Sequence, residues 1–227
     1  MDNPYFAKAS KGRDEPEAYV IGWQPFMGLK IYLDSRPLIP RTETEFWTEL
    51  LLKEATAQDG EPLRLLDLCA GSGAIGCAAL ARLPNAHVYF GEIDPAHEAT
   101  ILKNIRENNL DESRAHIRIG DLFAPFGNMQ FDVIAINPPY IPAGRELPAS
   151  VADYEPALAL YSGTDGFDLM RRIAEELPRR LRRGGVAWIE CDSPAAAAAA
   201  GLFMEQGFSV EIRTDQYGEP RVIVVSF

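Results

Sequence analysis

From Pro62 onward, short apolar runs alternate with segments whose apolar positions recur every three to four residues. The runs read as buried strands at Leu63–Leu68, His87–Ile93, His116–Ile119, Phe131–Ile136 and Val186–Cys191. Between them the spacing predicts helices over Ala74–Leu83, over Pro95–Asn108 with proline at its start, and over Leu169–Arg183, stopped by Gly184-Gly185. Ala195–Gln206 is an alanine-rich helix ended by Gly207. Phe208–Thr214 and Arg221–Phe227 read as a closing antiparallel pair around Tyr217-Gly218. A repeated strand–helix rhythm of this kind implies a parallel sheet covered on both faces, with one antiparallel strand at or near an edge. Residues 1–45 differ, carrying scattered prolines and aromatics. Thr42 and Glu45 have capping-box spacing and open a helix to about Ala57. The expected organisation is a short N-terminal extension, 1–45, ahead of an α/β Rossmann-like domain, 46–227.

Composition fits this picture without sharpening it. Of 227 residues, 47% are hydrophobic and 24% charged, ordinary for a globular chain with a core. No apolar stretch approaches the ~20 residues of a membrane span. Met1-Asp2-Asn3-Pro4 lacks the basic-then-apolar profile of a signal peptide, so the expectation is a cytoplasmic protein without a membrane partner. The net charge of −11 argues against a broad grip on nucleic acid, which needs Lys and Arg at phosphates. Arg171-Arg172, Arg179-Arg180 and Arg182-Arg183 form a local exception, explained by cations gathered near a helix C-terminus. Cys69, Cys77 and Cys191 are odd in number and lack zinc or redox spacing, which points to reduced thiols and no metal. His87, His97 and His116 are isolated and read as surface or strand residues.

The chemistry concentrates in two places. Asn137-Pro138-Pro139-Tyr140 ends the apolar run Phe131–Ile136. Its prolines remove two backbone donors and fix φ, so the Asn side chain and nearby carbonyls are held rigidly outward. The Asn137 side-chain oxygen and the Pro138 carbonyl can accept the two N–H groups of a planar NH2, with the Tyr140 ring free to stack on it. Such a nitrogen is a poor nucleophile, and fixing both hydrogens aims its lone pair. The second place is Cys69-Ala70-Gly71-Ser72-Gly73-Ala74-Ile75-Gly76, directly after a strand that ends Asp67-Leu68. Glu92 closes the next strand, where an acid can hold a ribose diol. This loop alone does not separate NAD from S-adenosylmethionine. The lack of a second substrate domain and the Asn-Pro-Pro-Tyr segment beside the crevice favour S-adenosylmethionine. Gly120-Asp121-Leu122 follows another strand; Asp121 can meet the adenine amine, with Leu122 against the ring.

These residues resemble the HemK/PrmC family of protein glutamine methyltransferases, and the similarity runs from Gly28 almost to the end. Leu38-Ile39-Pro40-Arg41 with Glu43-Thr44-Glu45 is similar to that family's signature ahead of the catalytic domain, with Thr42 where a second proline is usual. Asp67–Gly76 resembles its cofactor loop and Asn137–Ile141 its substrate motif. Tyr154–Leu160, Asp165–Asp168, and Gly207-Phe208 with Asp215, Gly218 and Arg221 resemble its later segments. Cys69 replaces the first loop glycine, Glu92 the usual Asp, and Cys191–Pro194 the usual Gly and Gln after Glu190. The family's helical N-terminal domain is here a stub.

The resemblance implies a class I methyltransferase fold with a mostly parallel seven-stranded sheet, and S-adenosylmethionine as methyl donor. The implied substrate is a glutamine side-chain amide in a translation protein, a release factor or ribosomal protein. Cys69–Gly73, Glu92, Leu122 and Asn137 carry over as cofactor residues, joined by the strand-end residues Asp67, Ile93 and Asp121. Asn137, Pro138, Pro139 and Tyr140 form the implied substrate site, with Asn137, Pro138 and Tyr140 acting in catalysis. In-line transfer from a sulfonium leaves a neutral thioether, so neither a metal nor a strong base is needed. The competing readings are an adenine-N6 methyltransferase on RNA or DNA, a non-catalytic binding module of the same fold, and, last, a dehydrogenase.

Overall fold

In the computed structural model, which describes residues 15–55 and 62–227, a small hairpin precedes a seven-stranded sheet. Helix α1 (Glu17–Ile21) leads into the antiparallel strands β1 (Trp23–Phe26) and β2 (Leu29–Tyr32), and α2 (Thr42–Glu54) buries Trp47, Leu51 and Leu52. The alternation then runs β3 (Leu63–Leu68), α3 (Ala74–Arg82), β4 (Ala86–Glu92), α4 (Glu98–Glu107), β5 (Ala115–Ile119) and β6 (Phe131–Ile136). Two single-turn helices, α5 (Ala149–Ala152) and α6 (Ala157–Leu160), precede α7 (Asp168–Arg180), β7 (Leu181–Glu190), α8 (Ala196–Glu205), β8 (Ser209–Thr214) and β9 (Pro220–Ser226).

The strand order is β5-β4-β3-β6-β7-β9-β8. The first five are mutually parallel, and β9 runs antiparallel to both β7 and β8. This is the mostly parallel seven-stranded sheet with a closing antiparallel hairpin that the sequence predicts. Alternation along the central strand feeds two cores. Leu65 packs with Trp47, Phe90 and Ile101 on one side, and Leu66 and Leu68 pack with Phe131, Ile134 and Met170 on the other. Helix α3 sits so close to β4 that a β-carbon on Gly76 would lie 2.2 Å from the Phe90 ring, which explains the third glycine of the loop by packing. Strand order reverses between the parallel neighbours β3 and β6, the chain winding out to β5 on one side and resuming at β6 on the other, and Leu68 pairs with Ile136. The segments following these two strands therefore leave the sheet side by side, at the topological switch point where such sheets bind ligands.

Four expectations need correction. Helix α7 ends at Arg180, and Arg182-Arg183-Gly184-Gly185 lie in a strand irregularity between the pairs Phe131–Leu181 and Val133–Val186. The buried Asp132 carboxylate explains this, because Arg182 reaches it at 2.8 Å, and a buried charge needs a partner. Thr42 and Glu45 form no capping box: Arg41 is the N-cap, without a side-chain cap bond, while Glu45 accepts the Met27 backbone N–H at the β1–β2 turn. Pro95–His97 is a 3-10 turn ahead of α4 rather than its first α-helical turn. Residues 17–32 form a helix and hairpin where no element was predicted; Pro25 inside β1 hides the strand pattern, tolerable because the ribbon has only two strands. The N-terminal segment read for a signal peptide, and the residues at which α2 was expected to finish, lie outside the described residues. Among the described residues no helix is long and apolar enough to cross a membrane.

Candidate active site

A cavity of about 390 Å³ opens over the C-terminal ends of β3, β4 and β5. Of the residues predicted to bind cofactor, Cys69, Gly71, Glu92, Ile93, Asp121, Leu122 and Asn137 line it, as does Pro139 of the predicted substrate site. Cys69, Gly71 and Gly73 all take left-handed backbone conformations, at φ of 61°, 54° and 75°. Cys69 thus adopts the geometry that a glycine takes more readily. Glu92 holds the loop down. One of its oxygens accepts the Gly71 N–H at 2.7 Å, and the other accepts those of Ile93 and Asp94 at 2.9 Å. Asp121 is exposed at the rim and paired with Arg172.

Asp67, Ala70, Ser72 and Gly73 do not line the cavity; they shape the loop from beneath. Asp67 accepts the Gly76 N–H at 2.8 Å, while its other oxygen is buried with no hydrogen-bond partner. Burial pushes its carboxyl well above the usual carboxylate range. Ala70 donates to the Gly91 carbonyl and accepts from Gly73. The Ser72 carbonyl accepts from Asn104, a buried residue of α4 that also bonds both backbone groups of Tyr32 and so ties the hairpin to the loop. The volume lies within the ~300–1,000 Å³ usual for a nucleoside-sized ligand. The carboxylates of Glu92, Asp94 and Asp121 and the apolar side chains of Ile93 and Leu122 line it from the strand ends. These residues fit S-adenosylmethionine.

A second pocket, of about 160 Å³, adjoins the first. It is lined by Arg41, Asn137, Pro138, Tyr140, Ile141 and Glu190 among others. Leu38, Asn137 and Ala159 line both cavities, so Asn137 stands where they meet. Its side-chain nitrogen donates to Thr44 Oγ1 at 3.3 Å. The Tyr140 hydroxyl donates to Glu190 Oε1 at 3.1 Å, so the ring is tethered rather than free. Burial, reinforced by the Glu190 charge, raises the Tyr140 pKa well above its usual value.

Sequence reasoning passed over three contributors to this pocket. Glu190 is 2% exposed and ends β7. It also accepts from Thr44 Oγ1 at 2.6 Å and Trp47 Nε1 at 2.8 Å, both on α2. Burial pushes its carboxyl up, and these three hydrogen bonds and the Arg221 charge pull the other way. Its signal was an acid closing an apolar strand, the same signal that singled out Glu92. Thr44 looked like part of a helix start. Glu155, also buried, accepts the Ile39 N–H at 3.2 Å and pairs with Arg41, drawing the Leu38–Arg41 segment onto the pocket rim. His97 and Arg172 line the first cavity without having been expected there.

The family described as the methyltransferase small domain matches residues 41–153. A release factor glutamine methyltransferase of Geobacter sulfurreducens is 35% identical over 202 residues, covering 88% of this chain and 69% of that protein. The protein of the same name from Thermodesulfovibrio yellowstonii is 33% identical over 218 residues, covering 94% of this chain and 77% of that one. Among solved structures, a methyltransferase from Pyrococcus furiosus superimposes with a TM-score of 0.62 at 19% identity, covering 88% of this chain and 89% of that one, and so shares the fold. With this sheet, this cofactor cavity and relatives of that similarity, the chain belongs to the release factor glutamine methyltransferase family and is an S-adenosylmethionine-dependent methyltransferase.

Proposed function

We propose that the chain methylates the side-chain amide nitrogen of a glutamine in a peptide-chain release factor, and that Asn137 is the hinge of the reaction. The observation that carries this is the sharing of Asn137 by the larger cavity and the smaller pocket. A group bound in one can meet a group bound in the other where Leu38, Asn137 and Ala159 line both, and of these three only Asn137 has a polar side chain. S-adenosylmethionine, when bound, supplies an electrophilic methyl on a sulfonium. The Cys69–Gly73 loop and Glu92 would hold its amino-acid and ribose parts, and Asp121 with Leu122 and Ile93 its adenine.

Asn137 Oδ1 and the Pro138 carbonyl accept the two N–H groups of the substrate amide, and Tyr140 supplies a wall beside it. The nitrogen's lone pair is delocalised into its carbonyl. Holding both hydrogens pre-pays orientation and stabilises the charge that develops on nitrogen as it is alkylated. We assign this chemistry to residues 46–227, with the preceding segment contributing Leu38 and Arg41 to the rim.

Adenine presents a similar NH2 group, so the walls must discriminate. Four of the six arginines that might have followed a phosphate backbone are engaged in ion pairs: Arg171 with Asp165 and Asp168, Arg172 with Asp121, Arg180 with Glu176, and Arg182 with Asp132. With a net charge of −11, a protein acceptor fits better. The test is transfer of labelled methyl to purified release factors, ribosomal proteins, RNA and DNA. Label should appear on a release-factor glutamine, and Asn137→Ala should cut it by about two to three orders of magnitude. Label found only on nucleic acid would overturn the protein acceptor.

A further inference from the structure

A short chain of hydrogen bonds decides which end of the Asn137 amide the acceptor pocket sees. Thr44 Oγ1 lies 2.6 Å from Glu190 Oε2, the separation of a charge-assisted O–H···O bond. Trp47 Nε1, which can only donate, is 2.8 Å from the same oxygen, and the Tyr140 hydroxyl occupies Oε1. A hydroxyl owns one hydrogen. Once Thr44 gives it to the carboxylate, only lone pairs remain for Asn137, which must offer its NH2 across 3.3 Å. The amide oxygen is then turned away from Thr44 and left for the pocket that Asn137 lines with Pro138 and Glu190. Glu190 touches no reacting atom in the transfer described above.

We propose that Glu190 is a positioning residue: acting through Thr44, it locks the Asn137 amide with its oxygen toward the substrate, so that the pocket accepts hydrogen bonds and selects a glutamine over a glutamate side chain. This rests on the methyl-transfer reading. With the amide reversed, the pocket would present N–H to the substrate's N–H and suit a carboxylate instead. Glu190→Gln keeps the lock, because Trp47 Nε1 can only donate: the new amide oxygen stays on Thr44 and Trp47 while its NH2 turns to the Tyr140 hydroxyl, which can accept. Glu190→Leu removes the acceptor altogether, freeing the Thr44 hydroxyl to donate to Asn137 and letting the amide turn over.

Two readouts test the relay. Kinetics with a purified release factor and labelled S-adenosylmethionine should show Glu190→Leu and Thr44→Val lowering kcat by about 100-fold, with Glu190→Gln keeping most of the activity. Cofactor KM and calorimetric binding of S-adenosylhomocysteine should stay within about twofold. Thr44→Ser, which keeps the hydroxyl, should recover much of the Thr44→Val loss. Independently of any acceptor, the side-chain ¹⁵N–¹H signal of Asn137, assigned by its loss in Asn137→Ala, should shift in Glu190→Leu and Thr44→Val and remain near its wild-type position in Thr44→Ser and Glu190→Gln. Wild-type kcat in Thr44→Val, an Asn137 signal unmoved in Glu190→Leu or Thr44→Val, or a loss of cofactor binding in step with kcat would overturn the proposal. If the wild-type protein labels no release factor, the substrate reading fails and the Asn137 signal still decides the relay.

Discussion

A β-carbon added to Gly166 would stand 2.5 Å from the backbone carbonyl oxygen of Tyr140, and Gly166 itself has φ of +85°. The substrate segment is thus backed by a neighbouring strand of chain that only glycine lets come so close. Ile141 is pinned on the same side, its N–H to the Leu160 carbonyl at 2.9 Å and its carbonyl to the Ser162 N–H at 3.0 Å. Gly166→Ala must both strain φ and push Tyr140 toward the pocket. The expected cost is about 1–3 kcal/mol, seen as a lowered Tm, with methyl transfer falling further than S-adenosylhomocysteine binding. Thermal unfolding and calorimetry on the variant check this; an unchanged Tm with full activity would show the contact to be slack.

Glu155 grips two points of the segment ahead of α2, the Ile39 N–H and the Arg41 guanidinium, while its own side chain is almost wholly buried. Arg41 is partly exposed at the pocket rim, so the pair's role is placement more than stability. Glu155→Gln keeps an acceptor for Ile39 and releases Arg41. It should raise KM for the protein acceptor and leave the cofactor KM in place. Glu155→Ala also strands the Ile39 N–H and should cost about 1–3 kcal/mol besides. Steady-state kinetics in both substrates separates the cases, and a change confined to the cofactor KM would refute the assignment to the acceptor side.

The parts of this site that could be read from the sequence are those whose residues are neighbours in the chain. Cys69–Gly76 and Asn137–Tyr140 each follow a strand that is apolar on both faces, and the Leu68–Ile136 pairing then brings them together without further information. Glu190 and Thr44 stand 146 positions apart, and each has an ordinary explanation alone, a strand end and a helix start. Nothing local announces that one needs the other. The same holds for Arg182, whose place in a strand irregularity follows from Asp132 being buried, a tertiary fact. Periodicity gives strands and helices; it does not give the partners of buried charges.

The three backbone N–H groups that converge on Glu92 make a sharp test of the cofactor loop. Glu92→Gln replaces one acceptor oxygen by a donor that must face amide hydrogens, leaving either Gly71 or the Ile93–Asp94 pair unsatisfied. The loop should loosen and S-adenosylhomocysteine bind at least about tenfold more weakly, the scale of one lost charge-assisted hydrogen bond. Calorimetry decides it. Glu92→Gln with wild-type affinity would place ribose recognition elsewhere.

Asp67 gives the fold a pH dependence of definite sign. Burial pushes its carboxyl well up; the Gly76 N–H pulls the other way and the Glu92 charge adds to the rise. The Cys69 and Cys77 thiols facing it are themselves pushed up by burial and stay protonated. The folded protein therefore holds this proton more tightly than the unfolded chain does. Its contribution to stability falls as pH rises from the ordinary carboxylate range through the folded-state value, and stays reduced above it. Asp67→Asn keeps an oxygen for Gly76 and titrates nothing. The Tm of the variant relative to wild type should therefore climb as the medium goes from about pH 4 to about pH 8, whichever protein is the more stable at the start. Paired calorimetric scans across that range measure the difference directly and cancel the titrations common to both proteins. A difference that stays flat, or shrinks with rising pH, would mean that Asp67 keeps an ordinary carboxylate pKa and that its unpartnered oxygen finds a donor in solution.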